Sequence, residues 1–154
     1  MRTLSIVIPV YNEQDSLSLF LEAARPAVER ALALIGPDAR GEYLFVNDGS
    51  SDRTGDILTI LARLNPDISV VTLSRNFGKE AALAAGIDHA NGDAVIPIDV
   101  DLQDPPEVIV DMVRHWLAGA QVVNARRSDR STDGWFKRTS ARGFYRLLNR
   151  LSDY

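Results

Sequence analysis

Short apolar runs rich in β-branched residues recur along this 154-residue chain, each followed by a stretch with helical patterning, and no other feature restricts the fold as much. The runs predict strands over residues 4–10, 43–47, 69–73, 94–98 and 121–125. Helices are expected over 16–34, 53–64, 81–90 and 106–118, the first three stopped by Gly36-Pro37, Asn65-Pro66 and Asn91-Gly92. Five strands alternating with helices imply an α/β fold, a largely parallel sheet with helices on both faces.

One such sheet is about what 154 residues can bury in a single core. Apolar residues make up 45% and charged residues 25%, ordinary values for a globular protein. The absence of cysteine excludes a disulfide framework and thiolate chemistry. Nowhere do eighteen apolar residues run together, and the first ten residues lack the basic, apolar and small-residue regions of a signal peptide. The net charge of −4 hides an asymmetry: residues 1–122 hold nine Lys/Arg against eighteen Asp/Glu, residues 123–154 eight against three. The basic end suits an anionic partner.

Three of the first four strands run into polar loops instead of plain turns: Tyr11-Asn12-Glu13, Asn47-Asp48-Gly49-Ser50, and Asp99 to Gln103. In a parallel sheet these loops share one edge and converge, at the place where open α/β sheets bind ligands. Asp99 and Asp101 alternate along a segment expected to be extended, with Gln103 as a third member, so hard oxygen ligands for Mg²⁺ or Mn²⁺ gather at a strand end. A solvated turn is the competing account, and Asp104 before two prolines suits a helix start. Asp48-Gly49-Ser50 by itself reads first as a turn, with a carboxylate accepting bonds from a nucleobase or ribose as the alternative. Tyr11 and Glu13 read as a helix-start pair or as a stacking ring with a polar partner, and Lys79 as a solvated charge or a phosphate contact. His89 and His115 fall in helices away from the strand ends, and neither a dinucleotide-binding glycine motif nor a P-loop occurs.

Near the end, Phe136, Ser140, Phe144, Leu147, Leu148 and Leu151 fall on one side of a helical projection, with Arg138, Arg142, Arg146 and Arg150 recurring elsewhere on it. Such a basic amphipathic helix suits either packing on the sheet or contact with a membrane surface.

Taken together, Val7-Ile8-Pro9-Val10-Tyr11-Asn12-Glu13, Val46-Asn47-Asp48-Gly49-Ser50-Ser51-Asp52 and Asp99-Val100-Asp101 resemble the catalytic domain of glycosyltransferase family 2, the GT-A fold, a Rossmann-like largely parallel sheet flanked by helices. Within it, Arg75-Asn76-Phe77-Gly78-Lys79-Glu80 and Asp101-Leu102-Gln103-Asp104-Pro105-Pro106-Glu107 resemble the polyprenyl-phosphate glycosyltransferases, the group of dolichyl-phosphate mannose synthase and the bactoprenol glucosyltransferases. Asn47 departs from the pattern, standing where the wider family often has an aspartate.

The resemblance implies inverting, metal-dependent transfer from a nucleotide-sugar, of the UDP type by the bactoprenol likeness, to a polyprenyl phosphate at the cytoplasmic face of a membrane. By that likeness Pro9, Tyr11, Glu13, Asp48, Arg75 and Lys79 would hold the nucleotide-sugar, Asp99, Asp101 and Gln103 would organise Mg²⁺ or Mn²⁺ and diphosphate, and Arg126 and Lys137 would lie near the acceptor phosphate. It also implies residues 1–125 as the nucleotide-sugar-binding catalytic core, with residues 126–154 as an acceptor and membrane-interface segment of the same domain. Nucleic acid is not an expected partner, and a homo-oligomer is left open. The family continues past this length into further acceptor residues and membrane helices, so the chain reads as an amino-terminal fragment. Glycosylation of a polysaccharide or protein, or nucleotide-sugar binding alone, are the alternatives.

Overall fold

The structure, a computed structural model, describes residues 2–103 and 105–125. Strands and helices alternate as β1 (Thr3–Val10), α1 (Leu17–Ile35), β2 (Arg40–Asn47), α2 (Thr54–Leu64), β3 (Ile68–Thr72), α3 (Lys79–His89), β4 (Ala94–Pro97) and α4 (Val108–Leu117). The strands form one parallel sheet in the order β3-β2-β1-β4, with Thr3 opposite Arg40, Leu4 opposite Ala94 and Tyr43 opposite Ile68. The chain thus winds outward from β1 to β3 and then returns to the other side of β1. Because all four strands are parallel, the loops that leave them gather at one carboxyl edge, where open α/β sheets bind ligands.

Both faces of β1 are covered, which is why residues 6–10 are continuously apolar instead of alternating. On one face Leu4, Ile6, Ile8 and Val10 join Tyr43 and Phe45 of β2 against α1, α2 and α4, with Phe20, Leu58 and Ile109 fully buried among them. Phe20 meets Phe45 edge-on, ring centroids 6.1 Å apart, a geometry that favours aromatic pairs. On the other face Val7, Leu44 and Val46 pack against Ala82 of the alanine-rich α3. Gly86 lets that helix approach closely: a Cβ there would stand 2.3 Å from Val7 Cγ1 and 2.9 Å from Val46 Cγ2.

The expected fifth strand does not form: residues 121–125 are irregular and Val122 is exposed. Only Val122 and Val123 offer β-branched surface there, between Gln121 and Asn124, too little apolar area to fix an edge strand. α4 instead ends in a Schellman turn, in which the N–H of Gly119 donates to Trp116 O and that of Ala120 to His115 O. No described helix is long and apolar enough to cross a membrane.

Candidate functional site

The loops after β1 and β2 are stitched into one wall by backbone donors and side-chain oxygens. Asn12 takes the left-handed conformation that asparagine tolerates, φ 55°, and its Oδ1 accepts the N–H of Ser51 at 2.8 Å. Asn12 N–H donates to Ser50 Oγ at 3.0 Å, and Glu13 N–H to Thr54 Oγ1 at 2.8 Å. The Glu13 carboxylate accepts the Ser16 hydroxyl at 2.7 Å, so Ser16 does not cap α1 with its side chain. At Asp52 burial pushes the carboxyl pKa up, but hydrogen bonds from the Thr54 hydroxyl and from the N–H groups of Thr54 and Gln14 outweigh it and hold it below the ordinary value. The wall leaves Tyr11 45% exposed, its ring open for stacking.

Asp48 ties this wall to the loop after β3. Its side chain is nearly buried, Oδ1 accepting the N–H of Phe77 and Oδ2 that of Gly78, both at 2.8 Å. Gly49, at φ 65°, lies so close that a Cβ would stand 2.3 Å from the carbonyl carbon of Arg75. Asn47 caps the turn through Oδ1, which accepts the N–H of Ser50 at 3.0 Å, a task that needs an oxygen but no charge. Asp48 is thus both a turn residue and a clamp on the segment that starts α3, and any ligand bond to it shares a carboxylate already serving two backbone donors.

β4 ends at Pro97, and a turn over residues 100–101 replaces the extended backbone that alternation predicts. Buried Val100 and half-buried Leu102 go to the core, which leaves Asp99 and Asp101 on the cleft. Positive φ at Leu102, 55°, then turns the chain away, so Gln103 does not line the cleft as expected; its N–H donates to Asp101 Oδ1 at 3.1 Å. From the start of α3, Lys79 Nζ reaches Asp99 Oδ2 at 2.6 Å. The hydrogen bond to Asp99 raises the Lys79 pKa, opposed by partial burial and aided by the charges of Asp99, Asp101 and Glu80.

The result is a cleft of about 280 Å³ lined by Pro9, Val10, Tyr11, Glu13, Asp48, Asn76, Gly78, Lys79, Ala82, Asp99, Val100 and Asp101. Arg75 is not on its lining; the guanidinium stacks on Phe77, 4.6 Å from the ring centroid. Arg126, Lys137 and Asp104 lie outside the described residues. His89 and His115 are exposed on α3 and α4 and line no part of the cleft. Asn76 and Gly78 were not expected from sequence on the lining; the signal for them was the Gly-Lys step just before an alanine-rich helix.

Among the described residues no three His, Cys, Asp or Glu side chains cluster as a self-sufficient metal cage. Two carboxylates on one cleft are nevertheless the usual protein share for Mg²⁺ or Mn²⁺, whose remaining positions go to phosphate oxygens and water. The donor set therefore fits a metal held jointly with a diphosphate.

Residues 5–154 match the family model described as glycosyl transferase family 2. The chain belongs to glycosyl transferase family 2. It is 48% identical over 150 residues to the prophage bactoprenol glucosyl transferase homolog of Escherichia coli K12, covering 97% of this chain and 47% of that protein. It is 42% identical over 156 residues to the undecaprenyl-phosphate 4-deoxy-4-formamido-L-arabinose transferase of Edwardsiella ictaluri, covering 97% and 46%. The family 2 chain thus spans about half the length of these curated relatives. Among solved structures it is similar to the mannosyltransferase PcManGT of Pyrobaculum calidifontis, in complex with GDP-Man and Mn²⁺, with a TM-score of 0.56 and 24% identity over 80% of this chain and 35% of that one. The sheet and its flanking helices are a GT-A fold.

Proposed function

We propose that this family 2 domain transfers a sugar from a UDP-sugar to a polyprenyl phosphate with inversion at the anomeric carbon, glucose being the sugar that the name of the Escherichia coli relative favours. The observation that carries the reading is the convergence of Tyr11, Lys79, Asp99 and Asp101 on one cleft in a chain 48% identical to a bactoprenol glucosyl transferase homolog. Tyr11 offers a face for the base, while Glu13 and Asn76 offer polar atoms for the nucleoside. Lys79 supplies positive charge for the diphosphate.

The chemistry asks little of a protein base. A phosphate monoester is already anionic near neutral pH, so one of its oxygens can attack the anomeric carbon directly as the bond to the nucleoside diphosphate breaks on the opposite face. The electron pair leaves with the diphosphate, where Lys79 stabilises the developing charge. Mg²⁺ or Mn²⁺, held by Asp99 and Asp101, would supply further charge neutralisation there. Arg126 and Lys137 are assigned to the acceptor phosphate, and the basic, aromatic stretch of residues 123–154 to the cytoplasmic surface of the membrane that carries it.

A thermal-shift screen of UDP, UDP-glucose and GDP-mannose with and without Mn²⁺ tests the donor half, because a ligand bound only by the native state raises its stability. Transfer of labelled glucose from UDP-glucose to undecaprenyl phosphate tests the whole. Equal melting temperatures with every nucleotide would refute the donor site.

A further inference from the structure

The mechanism uses Lys79 as a diphosphate ligand, yet in the structure its ammonium sits 2.6 Å from Asp99 Oδ2, one of the two oxygens through which that carboxylate could meet a metal. A cation and a divalent metal cannot share that oxygen without strong mutual repulsion. Both side chains are reached by solvent, Lys79 at 59% and Asp99 at 41% exposure, so water screens the pair and makes it weak enough to exchange. The root of the lysine is fixed while its tip is free. Gly78, immediately before it, is held by Asp48 through its backbone N–H, whereas the four-carbon stem and rotatable ammonium can change partners with little loss of geometry. The other charges facing the ammonium are acidic, Asp101 across the cleft and Glu80 beside it, so nothing on the described protein expels the lysine.

We propose that Lys79 is a resident cation of the donor cleft, occupying Asp99 while the cleft is empty and moving to the diphosphate when a nucleotide enters, so that a divalent metal gains Asp99 readily only together with a nucleotide. This rests on the donor-site reading given above. The coupling is reciprocal: nucleotide strengthens metal binding and metal strengthens nucleotide binding by the same factor. The lysine thereby lowers binding of free metal and favours the metal–nucleotide pair that the reaction uses.

Calorimetry on the full 154-residue chain with Mn²⁺ alone, UDP alone and both together tests the exchange, comparing the unaltered protein with Lys79→Met and Lys79→Arg. In Lys79→Met, Mn²⁺ alone should bind tighter by up to about fivefold, the upper end of what an exposed ion pair supports, and UDP without metal should bind more weakly. The factor by which UDP enhances Mn²⁺ binding should fall accordingly, and Lys79→Arg, which keeps the charge, should bind Mn²⁺ alone as the unaltered chain does. A second reading comes from nitrogen-labelled lysine: the ammonium signal that vanishes in Lys79→Met should shift when UDP and Mg²⁺ are added. Unchanged affinity for Mn²⁺ alone in Lys79→Met, or an unshifted ammonium signal, with UDP and metal still bound, overturns the exchange and leaves the donor site standing. Failure of the unaltered chain to bind UDP with Mn²⁺ overturns the donor site, and the exchange with it.

Discussion

Asp48 and Gly78 stand thirty residues apart in sequence, yet the Asp48 carboxylate accepts the Gly78 N–H at 2.8 Å and so positions the first residue of α3 at the cleft. Asp48→Asn presents an amide N–H₂ to one of two backbone donors and removes the charge that strengthens both bonds. Stability should fall by about 2 kcal/mol, read as a lower denaturant midpoint, and the Phe77 and Gly78 amides should exchange faster with solvent. Unchanged protection of both amides would show that the clamp does not hold the loop.

Gly86→Ala sets two effects against each other. Alanine favours a helix interior by about 1 kcal/mol, but its Cβ would stand 2.3 Å from Val7 Cγ1, and such overpacking costs about 1–3 kcal/mol. The overlap should win, lowering the melting temperature, and adding Val7→Ala should recover part of the loss because it removes the colliding methyl. No recovery in the double mutant would mean the clash is relieved elsewhere.

Asp101→Asn tests the metal share of the cleft. Because Asp101 is exposed, thermal stability should stay within about 0.5 kcal/mol of the unaltered chain. Mn²⁺-dependent UDP binding should weaken about tenfold, measured by calorimetry, as one of two carboxylate ligands is lost. Equal affinity in the folded variant removes Asp101 from the site.

Tyr43 gives a pH signature. Burial pushes its phenol from 10.0 to about 12, against the opposing pull of the Arg25 guanidinium stacked 5.2 Å away. The unfolded chain releases this proton near pH 10 and the folded chain only near 12, so the folded state holds more protons between these values. Stability must therefore fall as pH rises through that window, by up to about 2 kcal/mol from this group. Tyr43→Phe should flatten that part of the profile relative to the unaltered chain; parallel profiles from pH 9 to 12 would contradict the shift.

Residues 123–154 carry the membrane expectation. The chain should associate with anionic vesicles more than with neutral ones, less so in high salt, and replacing Arg138, Arg142, Arg146 and Arg150 with Gln should remove most of that preference. Equal partitioning to both vesicle types before substitution would argue against surface binding.

The sequence by itself determined the alternating α/β order, the parallel sheet and the placement of polar loops at strand ends. These follow from local apolar runs and from the glycines and prolines that stop them, as at residues 4–10 and Gly36-Pro37, signals a few residues long. Only the tertiary structure decided the rest. The stretch 121–125 carried strand-like residues but pairs with no described strand, because a strand needs a partner edge and buried area that no short run contains. Gln103 shared the spacing of Asp99 and Asp101, yet the backbone reverses at Leu102 to seat that side chain against the core, and the alternation ends there. Asp48 reads locally as a turn residue; its bonds to Phe77 and Gly78 exist because β2 and β3 are neighbours in the sheet, and the spacing of either segment in sequence holds no trace of that contact.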